Sequence, residues 1–160
     1  MRKIELKPIG LIKTPFKSRE GMPIQPTGAK GVKGTITIEP EFVEGLKDLN
    51  GFSHIILIYH FHKLKEYQLT VTPFMDDKPH GVFSTRAPKR PNYIGFSVVK
   101  LNEIEDNIIY IENIDVLDKT PLLDIKPFIP NVDIVEVDKL GWLEGKSDKM
   151  EDKIADSRFN

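Results

Sequence analysis

Apolar and polar residues alternate through most of the chain, which is the period of a strand with one buried face. The alternation predicts strands near residues 4–12, 34–38, 54–62, 68–74, 81–85, 95–104, 108–116 and 122–128. One stretch, 39–49, changes period: Phe42, Leu46 and Leu49 fall at helical spacing, acids occupy the first turn where the helix dipole favours them, and Asn50-Gly51 supplies a stop. Glu105-Asp106-Asn107 is a tight polar link of the kind that joins a hairpin. Many short strands and one helix predict an all-β fold. We expect an antiparallel β-barrel rather than a sandwich, because closure removes the edges that invite aggregation.

Two segments resist a regular assignment. Residues 14–31 hold Pro15, Gly21, Pro23, Pro26, Gly28 and Gly31, and a loop of that length in a compact domain is usually functional or disordered. The segment from Lys146 is charged and predicts a short helix around Met150, Ile154 and Phe159, or a fraying end. The expected organisation is one domain over residues 1–145 followed by a charged tail, 146–160.

Composition narrows the classes. At 160 residues with 39% hydrophobic and 29% charged residues, the chain can build a single core. With no cysteine it has no disulfide framework, thiolate metal site or cysteine nucleophile. No apolar run approaches the roughly 18 residues of a membrane span. The start, Met1-Arg2-Lys3-Ile4-Glu5, lacks the apolar core of a secretory signal, so cytoplasm is the expected location.

The net charge of -1 is unevenly spread. Residues 78–102 contain Lys78, Arg86, Lys89, Arg90 and Lys100 with no acid, whereas the C-terminal third is strongly acidic. An anion meets the local potential, so this stretch draws the eye. At its centre Arg86 to Asn92 sets three cations and two prolines between apolar strands, a stiffened loop whose guanidinium forks suit carboxylate or phosphate oxygens. His54, His60 and His62 share parity on one predicted strand, yet no carboxylate or further histidine follows at ligand spacing. No metal is expected, and His54 reads as a structural hydrogen-bonding residue.

The run from Gly81 to Gly95, GVFSTRAPKRPNYIG, resembles the signature of the TsaA-like family (TrmO, formerly YaeB), S-adenosylmethionine-dependent methyltransferases acting on tRNA. Supporting blocks follow in order: Pro8 to Ile12, Thr14 to Lys17, Gln25-Pro26, Gly51 to His54, Phe61-His62, Asp118 to Pro121 and Asp124 to Pro130. The resemblance implies a single β-barrel domain, a homodimer with the cofactor near the subunit interface, and N6-methylation of threonylcarbamoyl-adenosine at position 37 in the tRNA anticodon loop. Two departures stand out. The family commonly reads Pro-Asn-Pro-Ile-Gly where this chain has Tyr93 between Asn92 and Ile94, and Asp-Gly-Thr-Pro where it has Lys119.

By the same resemblance Gln25, Pro26, His62, Lys63, Arg86, Asp118, Lys119, Thr120 and Pro121 map onto cofactor-contacting positions, with Phe96 or Val98 supplying an apolar wall. Arg86 suits the cofactor carboxylate or a tRNA phosphate. Asp118 and Asp124 are candidate general bases, with turn capping the ordinary alternative for Asp124. Lys89, Arg90 and Tyr93 form the expected RNA surface, two cations and one stacking ring, with the basic N-terminal residues Arg2, Lys3, Lys7, Lys13, Lys17 and Arg19 as the alternative. Two other functions fit the same residues: a non-catalytic RNA-binding barrel, and a methyltransferase for a small molecule.

Overall fold

The computed structural model describes residues 3–150 and 152–159. Arg2 lies outside them. In chain order the strands are β1 (Gly10–Lys13), β2 (Lys33–Ile38), β3 (His54–His60), β4 (Thr70–Val71), β5 (His80–Gly81), β6 (Ile94–Glu105), β7 (Ile108–Glu112) and β8 (Thr120–Pro127). Six of them close a barrel in the order β1-β2-β7-β6-β3-β8, with every neighbouring pair antiparallel. The short strands β4 and β5 pair with each other outside it.

The alternation seen in the sequence is the alternation of the barrel wall. Along β3, Ile55, Leu57 and Tyr59 point into the core while His54, Ile56, Ile58 and His60 face outward. Ile12, Ile36, Ile38, Val99, Ile109, Ile111 and Leu122 complete the interior from the other strands. The β6–β7 hairpin turns at Asp106, whose φ of 52° is the left-handed value such tight links demand.

Several elements are shorter than the pattern predicts. Residues 4–9 carry no strand, and β1 begins at Gly10. The expected strands near 68–74 and 81–85 reduce to the two-residue β4 and β5, and Val82–Ser84 is a 3-10 turn. The predicted helix is a 3-10 helix at Pro40–Leu46 with a second turn at Leu49–Gly51. Its Phe42, Val43, Leu46 and Leu49 still pack half-buried on the barrel, so apolar spacing was satisfied by a tighter helix.

The C-terminal segment is anchored. The Gly21 N–H donates to Ala155 O and the Ala155 N–H donates to Met22 O, and Phe159 is buried with Val71, Val82, Ala87 and Phe74 in a second, smaller core. Trp142 stacks on His80 at 4.6 Å between ring centroids, and Asp76 accepts hydrogen bonds from His80 (3.1 Å) and Lys146 (2.9 Å). This satellite core underlies the signature loop.

Candidate functional site

Antiparallel pairing brings the end of β1, the start of β2, the end of β3, the start of β6, the end of β7 and the start of β8 to one rim of the barrel. Ile12 faces Thr120, His60 faces Ile94 and Lys33 faces Glu112. The sequence blocks converge there. Gln25 precedes the 3-10 turn Pro26–Ala29, its carbonyl accepting from the Gly28 N–H; the turn starts on proline and is pinned by buried Ala29.

Arg86 is the join between two of these blocks. Its Nη1 donates to Gln25 Oε1 at 3.0 Å, and its guanidinium lies 4.9 Å from the centroid of the Phe96 ring, which is 49% exposed. Val98 shares the outer face with Phe96 and is half-buried opposite Ile56. Inside the barrel, Ser97 donates to Asp115 Oδ1 at 2.6 Å and lies 3.0 Å from the Tyr59 hydroxyl. With Asp115 ionised, Ser97 gives its only proton to the carboxylate, so the Tyr59 hydroxyl is the donor to Ser97. Burial pushes the Asp115 carboxyl up to about 6, while hydrogen bonding to Ser97 and the Arg86 charge hold it from rising further. The Tyr59 phenol is raised by its own burial and by the Asp115 charge.

Gly95 permits this arrangement. A Cβ there would sit 2.5 Å from Tyr59 Cε2 and 2.6 Å from Phe61 Cζ, inside contact distance of two rings that already meet edge to face at 5.5 Å.

The second half of the site is the seam between β1 and β8. Asp118 is held by Lys17 Nζ at 2.5 Å and by the Thr14 backbone N–H at 3.1 Å, while the Thr14 hydroxyl donates to Val116 O at 2.7 Å. The Lys17 contact is the main cause of the lowered Asp118 pKa. Thr120 donates to Leu117 O at 2.8 Å and therefore accepts at its 3.3 Å contact with His62 Nδ1. This fixes the proton of neutral His62 on Nδ1 and leaves Nε2 as a bare acceptor, buried and without a partner among the described residues. Burial, then the charges of Lys63, His60 and Arg19, lower the His62 pKa against the opposing pull of Asp118. Lys63 itself is exposed.

Other expected residues fall differently. Arg90 turns inward: its Nη1 lies 2.9 Å from Thr85 O and 3.0 Å from Val82 O, so it braces the loop instead of standing free on an RNA surface. Lys89 is half-buried, and its carbonyl accepts from the Gln68 N–H. Tyr93 packs edge-on against His60 at 6.0 Å. Of the two candidate bases, Asp118 lies at the seam, whereas Asp124 accepts from the Ile125 N–H and pairs with Lys126 on a separate groove beside Phe42 and Leu46. Asp124 caps no turn, since it lies within β8 opposite Ile58. His54 bonds Ser53 through Nδ1, and the chain turns after His60, so the three histidines do not share a strand face. Tyr59, Ser97 and Asp115 were not anticipated; the readable clue was Ser97, a polar residue at an inward position between Gly95 and Val99.

Residues 11–134 match the model of the tRNA-methyltransferase O N-terminal domain. The chain belongs to that family. A probable S-adenosyl-L-methionine-binding protein of Pyrococcus abyssi is 54% identical over 96% of this chain and 83% of its own length. A tRNA (adenine(37)-N6)-methyltransferase of mouse is 34% identical over 79% of this chain, which spans 31% of the mouse protein. The crystal structure of TrmO from Pseudomonas aeruginosa superimposes with a TM-score of 0.74 at 37% identity, covering 88% of this chain and 63% of that one. The barrel is thus the family barrel, and no helix among the described residues is long and apolar enough to cross a membrane.

The family departures both fall on backbone that disfavours side chains. Lys119 has φ 61° and Tyr93 has φ 53°. A glycine at 119 would be relaxed in that geometry. A proline at 93 could not adopt it, since the ring fixes φ near −65°. The loop around Tyr93 therefore takes a course that the common family motif does not permit.

Proposed function

We propose that this protein is an S-adenosylmethionine-dependent methyltransferase that modifies N6 of adenosine 37, carrying a threonylcarbamoyl group, in the tRNA anticodon loop. The observation that carries the reading is the bare, buried Nε2 of His62 beside a rim that also offers Arg86, Phe96 and Asp118. These residues fit the cofactor's chemistry. Arg86 suits its carboxylate, Phe96 its flat apolar surface, and Gln25, His62 Nε2 and Asp118 its amine and hydroxyl donors. When bound, the cofactor supplies a methyl group on a sulfonium, an electrophile that already carries its leaving group. Orientation is then the protein's main contribution. Neutral His62 serves as an acceptor, and the Asp118 carboxylate, kept ionised by Lys17, favours a cationic or N–H-bearing group at the seam.

The reading carries a homodimer and a cytoplasmic location with it. Ile94 and Phe96, exposed on the strip beside Arg86, are apolar surface that a second subunit near the cofactor would cover.

The test is mass spectrometry of nucleosides from tRNA bearing threonylcarbamoyl-adenosine, after incubation with the full chain and isotopically labelled S-adenosylmethionine. A labelled methyl on N6 of that nucleoside is the expected result. Cofactor binding without any methylated nucleoside would overturn it.

A further inference from the structure

We infer that the groove lined by Lys13, Lys17, Lys33 and Lys119 is the surface that holds the phosphate backbone of the RNA. The inference rests on the tRNA reading above and locates the substrate on the molecule.

The groove lies on the barrel wall below the β1–β8 seam, with a volume of about 630 Å³. Its floor follows from strand register: Lys13 faces Thr35, Thr35 faces Tyr110, and Tyr110 faces Glu103, so one row of outward side chains crosses β1, β2, β7 and β6. Lys33 stands on β2 two residues before Thr35, and Lys17 and Lys119 overhang from the loop after β1 and the turn before β8. Four cations from separate parts of the chain thus meet two acids, Asp118 and Glu103. Lys17 neutralises Asp118. Lys13, Lys33 and Lys119 form no ion pair among the described residues.

Lys119 supplies an independent reason. It is exposed and held at φ 61°, a conformation in which a side chain is strained. The site places a cation there, between the groove and Thr120, despite the strain. The rival surface is weaker: Arg86 is engaged by Gln25 and Phe96, Arg90 by loop carbonyls, and Lys89 is half-buried. The groove is open, which suits a polymer of phosphates, and Tyr110 offers a ring at its floor.

The experiment measures affinity for tRNA bearing threonylcarbamoyl-adenosine at several salt concentrations, using wild type, the double variant Lys13→Gln with Lys33→Gln, and Glu103→Gln. Cofactor affinity by calorimetry accompanies each. The double variant is expected to weaken binding at least about tenfold at low salt and to lower the log–log salt slope by about 1.4 to 1.8, with cofactor affinity unchanged. Glu103→Gln is expected to tighten RNA binding, an outcome that no loss of folding can mimic. Unchanged affinity and slope in all variants, with wild type still binding, would overturn the groove and leave the methyltransferase reading standing. Wild type that does not hold this modified tRNA at about 50 mM salt would overturn both. Inorganic tripolyphosphate is the competing probe. If it saturates the groove at micromolar concentration while the variants leave RNA binding intact, the groove is a small-anion site and the inference fails.

Discussion

The guanidinium of Arg86 donates to the side-chain carbonyl of Gln25 at 3.0 Å, latching the long 14–31 loop to the signature segment. One face of the same guanidinium lies against Phe96. Arg86 therefore organises the site before any ligand arrives, and its remaining N–H groups are presented already oriented.

Replacing Arg86 by alanine is expected to weaken S-adenosylmethionine binding by about ten- to hundredfold, the loss of about 1.5 to 3 kcal/mol that a charge-assisted contact carries. Gln25→Ala should cost less, and the double variant less than the sum, because the two side chains share one contact. Lysine at 86 should restore little, having neither the fork nor the flat stacking face. Calorimetric titration checks this, and wild-type affinity in Arg86→Ala would remove the residue from the site.

Gly95→Ala is expected to destabilise the protein by about 1 to 3 kcal/mol, the range for forcing a methyl into a packed core. The added carbon meets Tyr59 and Phe61 at 2.5 and 2.6 Å, so relief requires moving rings that adjoin Ser97 and His62. Urea unfolding measures the loss. A neutral substitution would show that the rings can retreat freely.

Asp115 makes stability depend on pH with a sign opposite to that of a salt-bridged acid. Its folded pKa of about 6 stands above the ordinary 3.8, so the native state holds the proton more tightly and stability from this group falls as pH rises from about 3.8 to about 6. Above that window the penalty is on the order of 3 kcal/mol. Asp115→Asn should therefore gain stability over wild type at pH 7, with the gap closing as pH falls toward 4. A gap that does not change with pH would place the carboxyl's cost elsewhere.

Lys119→Gly sets two effects against each other. Removing the Cβ from a residue held in the left-handed region relieves about 1 to 2 kcal/mol, and glycine's extra unfolded-state freedom returns about 0.4 to 1. A net gain of about 0.5 to 1 kcal/mol in thermal or urea unfolding is expected, together with weaker tRNA binding. Tyr93→Pro should instead be destabilising by more than about 1 kcal/mol, since proline cannot adopt φ 53° and loses the hydrogen bond from the Tyr93 N–H to Arg90 O. A stable Tyr93→Pro variant would mean that the loop has a second course.

The barrel was legible because its strands alternate cleanly, as Ile55, Leu57 and Tyr59 show on β3. The 3-10 character of Pro40–Leu46 was not, since apolar spacing over two turns serves either helix. For the candidate site, resemblance pointed to Gln25, Arg86 and the 118–120 strip. It could not show that Arg90 turns inward, because a guanidinium reaches solvent or carbonyls with equal ease and only the loop's shape decides. Nor could spacing reveal Ser97 and Asp115, which meet across a turn where Asn113 reverses the backbone at φ 67°. The lysine groove escaped for a related reason: Lys13, Lys33 and Lys119 are scattered in sequence and meet only through barrel register.

Closing β1 against β8 joins segments about 110 positions apart, and the Thr14–Val116 and Thr14–Asp118 hydrogen bonds sit on that suture. A nascent chain that has exposed Gln25, His62 and Arg86 but not yet residue 120 carries half of the site's side chains on an unclosed wall. On the proposed reading the seam exists only once the wall shuts, so ligand affinity would double as a gauge of completed folding.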